Sequence, residues 1–393
     1  MTLNQTIFAH RRALHAIPEL GFELHRTKAY LERELRRMGY APHTIGQTGL
    51  FAVREGKQKT AIAFRADMDA LPIQEDTGLS YASTVPNQMH ACGHDGHMAM
   101  VLGFAELIAK TPQPDKTILF IFQPAEETSG GAQTLIDQGL FDGFHVEGIF
   151  GLHLDPSLPQ GKLGVKPGVM MAAITEFTVT ISGTGGHSAR PSEARDAIKV
   201  AAELITQYHA LTKTEGDPSS HALVGIGMCI AGEASNVIAD QASVQGTLRT
   251  FSESVKQSIT QDMHTIIKTL ESRHGVHIDS HFHGAYPAVY NDETLTHTLL
   301  KRLTALPVEN VGPQLISDDF AFYQRIVPGV YMLLGTGTPS YDAPLHANKF
   351  DFDETVLLDG VHVYRDIARI LAVWDPQTVQ LPSLEIDHKK SSV

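Results

Sequence analysis

Four short apolar runs, residues 60–66, 116–122, 148–152 and 330–334, constrain the architecture of this 393-residue chain more than any other feature. Each is shorter than an ordinary helix and reads as a buried strand. Helical periodicity lies between and before them. Residues 6–17 and 26–38 are amphipathic and stop at Pro18 and Gly39, and residues 98–110 form a third helix closed by Pro112 and Pro114. Buried strands alternating with helices predict an α/β sheet covered by helices on both faces.

The middle of the chain has another rhythm. Residues 177–182 alternate as a half-buried strand, 196–211 read as a helix, 222–231 and 243–251 as strands, 253–272 as a helix and 277–283 as a last strand. The order β-α-β-β-α-β is that of a ferredoxin-like sandwich. We therefore expect an α+β domain at 171–286 inserted between two parts of a larger domain, 1–170 and 287–393. The polar tail, from Asp387 in particular, is expected to fray.

Composition narrows the function. The net charge is -13, and basic residues are not clustered as phosphate binding requires, so nucleic acid is not an expected partner. No apolar run reaches the roughly 18 residues of a membrane span. Residues 1–12 lack the apolar core of a secretory signal. Two cysteines, Cys92 and Cys229, cannot make a disulfide scaffold, and a cytoplasmic setting is expected. Cys229 lies in an apolar run and reads as a small buried hydrophobe.

The chemistry gathers where strands end. Arg65-Ala66-Asp67-Met68-Asp69 closes the first run, Gln123-Pro124-Ala125-Glu126-Glu127 follows the second, and His153 ends the third. Ligand sites in open α/β sheets form at the carboxyl ends of strands. Cys92-Gly93-His94, on the loop before a helix, adds a thiolate and an imidazole. Alone it is as readily a Gly-rich packing loop as a metal site; beside strand-end acids, a zinc-type site is favoured. Adjacent glutamates are usually a solvated surface. After a buried strand, they suit a division of labour in which one holds a metal and the other takes a proton from water activated there. Asp67 and Asp69 read as a polar loop beside Arg65 or as support for a metal histidine.

Two further segments are candidates. The run Gly183-Thr184-Gly185-Gly186-His187 lacks the Lys-Ser/Thr of a phosphate loop, and a turn presenting His187 as an oxyanion donor competes with a purely structural turn. His346, beyond the fourth strand, is a candidate last ligand.

Assembled, these residues make the chain resemble the M20 metallopeptidase superfamily, in its amidohydrolase branch of N-acyl-amino-acid, hippurate and auxin-conjugate hydrolases. The resemblance rests on residues 65–72, 89–97, 123–127, 151–153, 185–188, Asn236-Val237-Ile238 and His346. It implies a large zinc-peptidase-like α/β/α catalytic domain with an inserted ferredoxin-like lid that also dimerises. It implies two divalent ions, of zinc, manganese, nickel or cobalt, with Cys92 shared between them and His94, Glu127, His153 and His346 completing the two sites. It further implies Glu126 as general base, Asp69 in support, His187 as oxyanion donor in cis or across a homodimer or homotetramer, and Asn236 and Arg249 as holders of a substrate carboxylate. Two departures, Ser192 after Pro191 and Asp318 before Asp319-Phe320, touch the substrate side.

The expected activity is hydrolysis of the amide bond of a small N-acyl amino acid or similar conjugate. Rivals are a dipeptidase or another deacylase on this scaffold, a mononuclear zinc hydrolase, and a catalytically silent binding protein.

Overall fold

A computed structural model of the chain describes residues 2–128 and 130–374. The tail from Asp387 lies outside them. The chain forms two compact units: one of residues up to Gly168, Tyr290–Val311 and those from Phe322 on, the other of Val169–Val289 with Gly312–Ala321. The second unit thus includes a segment that the expected 171–286 insertion leaves out. Gln314 bridges to Met171, and the Arg249 guanidinium bonds the Leu315 carbonyl and the Ser317 hydroxyl, which ties this segment down.

The first unit is built on an eight-stranded sheet. At its centre Lys116–Gln123, Gln58–Asp67, His145–Pro159 and Gly329–Gly337 lie side by side and parallel. These are the four apolar runs, extended at their ends. On one face Phe64 meets Phe104, Tyr364 and Phe150, and Phe120 meets Phe104, with ring centroids 4.7–6.0 Å apart. On the other, Leu119, Ile121 and Ile149 are equally buried. Both faces are therefore covered, and the α/β/α expectation holds. The outer strands His43–Ile45 and Gly49–Arg54 run antiparallel to their neighbours.

Helix Leu3–His15 starts three residues before its apolar periodicity, because Thr2 and Gln5 form a reciprocal capping box. Helix His94–Ala109 starts four residues earlier than periodicity suggests, so His94 sits in its first turn rather than on a preceding loop. The polar start His94-Asp95-Gly96-His97 reads as loop only if it is solvated; here it is buried and hydrogen-bonded throughout. Gly93 caps this helix in the left-handed region (φ 84), and a Cβ there would meet Leu154 Cδ1 at 2.9 Å. Only glycine satisfies both conditions.

The second unit contains a four-stranded antiparallel sheet in the spatial order Ala222–Ala231, Gln241–Thr250, Ala173–Ser182, His277–Tyr286. With helices Ala197–His209 and Glu253–His274 between strands, this is the ferredoxin-like order. Its core joins Phe177, Val179 and Ile181 to Leu204, Tyr208, Met263 and Leu270. Cys229 departs from expectation: it is exposed. It lies in the exposed run Met228–Ile230 of the outer strand Ala222–Ala231, between Ile226 and Ala231, which pack on the unit's core.

Candidate active site

Three carboxyl ends of parallel strands and one helix start deliver the predicted groups of the first unit to one place. Asp67 closes Gln58–Asp67, Glu126 and Glu127 follow Lys116–Gln123, and His153 lies within His145–Pro159. Cys92 and His94 flank Gly93. His346 arrives from the long segment after Gly329–Gly337, its N–H bonded to the Ala91 carbonyl at 2.8 Å. Ala125 (φ 56) and His346 (φ 65) both hold positive φ without being glycine. Such backbone costs about 1–3 kcal/mol and persists where the surroundings enforce it, as at functional sites.

Two groups of candidate ligand atoms share one thiol. Cys92, His94 and His153 form the first, and Cys92, Glu127 and His346 the second; within each group the atoms lie within 4.8 Å of one another. Cys92 Sγ is 3.5 Å from His153 Nε2, and Glu127 Oε1 is 3.3 Å from His346 Nε2 and 4.0 Å from His94 Nε2. Glu126 also comes within this range of His94 and Glu127.

The imidazole tautomers fit metal binding. His94 Nδ1 donates to the Asp69 carbonyl at 2.7 Å, and its buried Nε2 has no hydrogen-bond partner. His153 Nδ1 donates to the Leu154 carbonyl at 2.7 Å, which turns the Nε2 lone pair of the neutral ring toward the thiol. A ring N–H anchored to a carbonyl behind the site is the usual arrangement of a ligating histidine. Burial disfavours charge on His94, but Asp67, Asp69 and Glu127 outweigh it and push its pKa to about 10. Among these acids its Nε2 takes either a proton or a cation. Burial, then Glu127, Glu126 and Asp67, drive the Cys92 thiol well above its ordinary range. A bound cation reverses that balance and deprotonates the thiol. Burial works against Glu127 as well, yet the His346 hydrogen bond and the His94 charge hold it below the usual carboxylate range. Donor set, tautomers and electrostatics all fit two soft-to-borderline divalent ions.

Asp69 acts from behind. Its Oδ1 accepts the Glu126 N–H and its Oδ2 the Glu127 N–H, each at 3.0 Å. One side chain thereby orients the base candidate and a candidate ligand together. Burial keeps its own pKa raised.

His187, Asn236 and Arg249 belong to the second unit. Gly186–His187 pairs with Val237–Ile238, and the Ser188 N–H bonds the Asn236 carbonyl, so His187 and Asn236 stand side by side, both exposed. Arg249 lies apart from them on Gln241–Thr250, half-buried, bonded to a carbonyl and a hydroxyl rather than a carboxylate.

Arg11, His15 and Glu75 escape the sequence-based expectation. Arg11 is 1% exposed, bonds Asp95 at 3.2 Å and Asp351 at 2.5 Å, and covers the Phe352 ring at 3.9 Å. His15 lies between Asp95 (2.9 Å) and Glu75 (3.1 Å). The signal available was a cationic pair spaced i, i+4 on the side of a helix that also carries Ile7 and Leu14.

The chain matches the family described as "Peptidase family M20/M25/M40" over residues 63–370. It is 36% identical over 347 residues to an N-acetyldiaminopimelate deacetylase of Shouchella clausii (strain KSM-K16), spanning 86% of this chain and 91% of that protein. It is 36% identical to an N-acetylcysteine deacetylase of Bacillus subtilis (strain 168), over 92% and 95% of the two chains. Its fold superposes on the crystal structure of the Bacillus subtilis YXEP protein, described as a dinuclear metal binding peptidase from the M20 family. The TM-score is 0.81 and the identity 31%, over 94% and 98% of the chains. A family match over residues 63–370 and deacetylase relatives of 36% identity along most of both chains agree, and the chain belongs to the M20 peptidase family as a metal-dependent amide hydrolase.

Proposed function

We propose that the chain hydrolyses the amide bond of N-acyl amino acids, with Glu126 as general base and the two groups sharing Cys92 each holding one divalent ion. The observation that carries this reading is the pairing of two three-ligand groups on one thiol beside a second, buried glutamate. The deacetylases named among its relatives act on N-acetylated amino acids, which supports the substrate class.

When bound, two ions of zinc, manganese, nickel or cobalt would polarise the acyl carbonyl and acidify the attacking water. Glu126, fixed through its N–H by Asp69, takes the water proton and passes it to the nitrogen as the C–N bond breaks. His187 donates to the carbonyl oxygen as charge builds there, in cis or from a second copy. Asn236 and Arg249 hold the substrate carboxylate; Arg249, whose hydrogen bonds among the described residues go to a carbonyl and a hydroxyl, suits that task.

Association through the second unit as a homodimer or homotetramer is part of the same reading. The outer strand Ala222–Ala231 exposes Met228 (40%) and Ile230 (61%), with Val237 (52%) nearby in sequence. An open apolar strand edge invites pairing with a second copy. Among the described residues no helix is long and apolar enough to cross a membrane. With both cysteines free, a cytoplasmic setting is proposed.

The test is Glu126→Gln. Turnover of N-acetyl amino acids should fall by at least about a hundredfold, while metal content, read by elemental analysis, stays at the wild-type level. Activity retained in that variant would overturn the assignment. A panel including dipeptides separates the substrate classes.

A further inference from the structure

Beneath the metal-binding groups runs a buried hydrogen-bonded chain that the proposed reaction does not use. Arg65 Nε donates to Gln123 Oε1 at 2.8 Å, and Arg65 Nη1 to Asp67 Oδ2 at 2.6 Å. Asp67 Oδ1 accepts from His97 Nδ1 at 2.6 Å, and the Leu154 N–H donates to His97 Nε2 at 3.0 Å. Each link lies next to a proposed ligand or support. Gln123 precedes the Glu126-Glu127 loop, Asp67 precedes Asp69, His97 is one helical turn after His94, and Leu154 follows His153. Arg65, Asp67, His97, Gln123 and Leu154 are all at most 2% exposed.

His97 is the link that joins two ligand-bearing elements directly. Because a backbone N–H donates to its Nε2, its proton sits on Nδ1, and both nitrogens are committed. His97 is therefore not itself a ligand, although Asp67, His94 and His97 form a cluster of metal-binding size. Its ring centroid is 5.4 Å from that of His94 and 4.7 Å from that of His153. The other half of the site is held differently: the Glu127 N–H by Asp69, and the His346 N–H by the Ala91 carbonyl.

We propose that His97 is a positioning residue for one metal only, the ion held by His94 and His153 with Cys92, because it ties the helix of His94 to the backbone beside His153. This rests on the two-metal reading above. Loss of an outer partner of a ligand costs about ten- to a hundredfold in metal affinity, and here that loss should be confined to one ion.

The experiment is zinc titration of chelator-stripped protein against a chromophoric competitor, with folding checked by circular dichroism. Wild type should take two zinc ions per chain; one ion would overturn the two-metal reading, independently of His97. In a His346→Ala background, which leaves the His94–His153 group, adding His97→Leu should weaken the remaining zinc ten- to a hundredfold. His97→Gln, which keeps one donor and one acceptor, should restore most of it. In a His94→Ala background, adding His97→Leu should change the remaining zinc less than about twofold, the spread of independent sites. Equal weakening in both backgrounds, or none in either, overturns the proposal. If His97→Leu does not fold, His97→Gln carries the same comparison, with a weakening of a few fold expected only beside His346→Ala.

Discussion

Replacing His15 with Gln should remove a pH-dependent part of the protein's stability. His15 is 1% exposed and lies between Asp95 and Glu75. Burial alone would keep it neutral, but the Asp95 charge and the hydrogen bonds to Asp95 and Glu75 prevail and raise its pKa to about 9. An exposed imidazole titrates near 6.5. The folded pKa lies above the unfolded one, so the contribution is complete below about pH 6.5 and disappears as the pH rises through 9. Two-state linkage with these two values gives about 3 kcal/mol at pH 6, about 2.5 kcal/mol at pH 7 and under about 0.5 kcal/mol at pH 9. The assay is urea unfolding of wild type and His15→Gln from pH 6 to 9.5 at saturating metal. Groups common to both proteins cancel in the difference. That difference should shrink by about 3 kcal/mol across the window. A difference that stays flat would refute the reasoning, for it would mean that His15 carries no charge between its two acids.

Other outcomes test the site and the surface. Gly93→Ala places a Cβ at positive φ and 2.9 Å from Leu154 Cδ1; thermal melts should show a loss of about 1–3 kcal/mol, and an unchanged melting point would contradict the capping geometry. Asp69→Asn can accept only one of the two N–H bonds from Glu126 and Glu127. It should lower kcat about ten- to a hundredfold with KM little changed, in steady-state assays. Cys229 is exposed and Cys92 buried, so a thiol reagent should modify one cysteine of the native monomer. If two copies meet along Ala222–Ala231, that labelling should slow as protein concentration rises.

The fold was legible where a single physical signal ruled. The four apolar runs became the four central parallel strands because burial on both faces leaves no polar alternation to misread. The β-α-β-β-α-β rhythm gave the sheet order of the second unit directly. The start of helix His94–Ala109 was not legible, since His94, Asp95 and His97 look like loop residues until their buried partners are known. The short strands His43–Ile45 and Gly49–Arg54 have too few residues to show a period. In the candidate site, residue types and strand ends brought Cys92, His94, Glu126, Glu127, His153 and His346 together. Periodicity carries no information on tautomers, so the difference between His94, whose buried Nε2 has no hydrogen-bond partner, and His97, with both nitrogens committed, had to come from geometry. The Arg11 and His15 pair was hidden for a similar reason: on a helix surface, such residues usually face water.

The order in which the chain is made gives the segmented first unit a further meaning. Strand His145–Pro159 waits through the synthesis of an entire second unit before its parallel neighbour Gly329–Gly337 appears. The intervening unit has its own core and can fold while the first stands open. His346 emerges later still, after that neighbour, and only then can the Glu127 side of the centre close. Nascent chains therefore carry a half-assembled thiol site with one exposed sheet edge. Capture of a metal by Cys92, Glu127 and His346 would then belong to the last step of assembly, where it would lock the two ends of the first unit together.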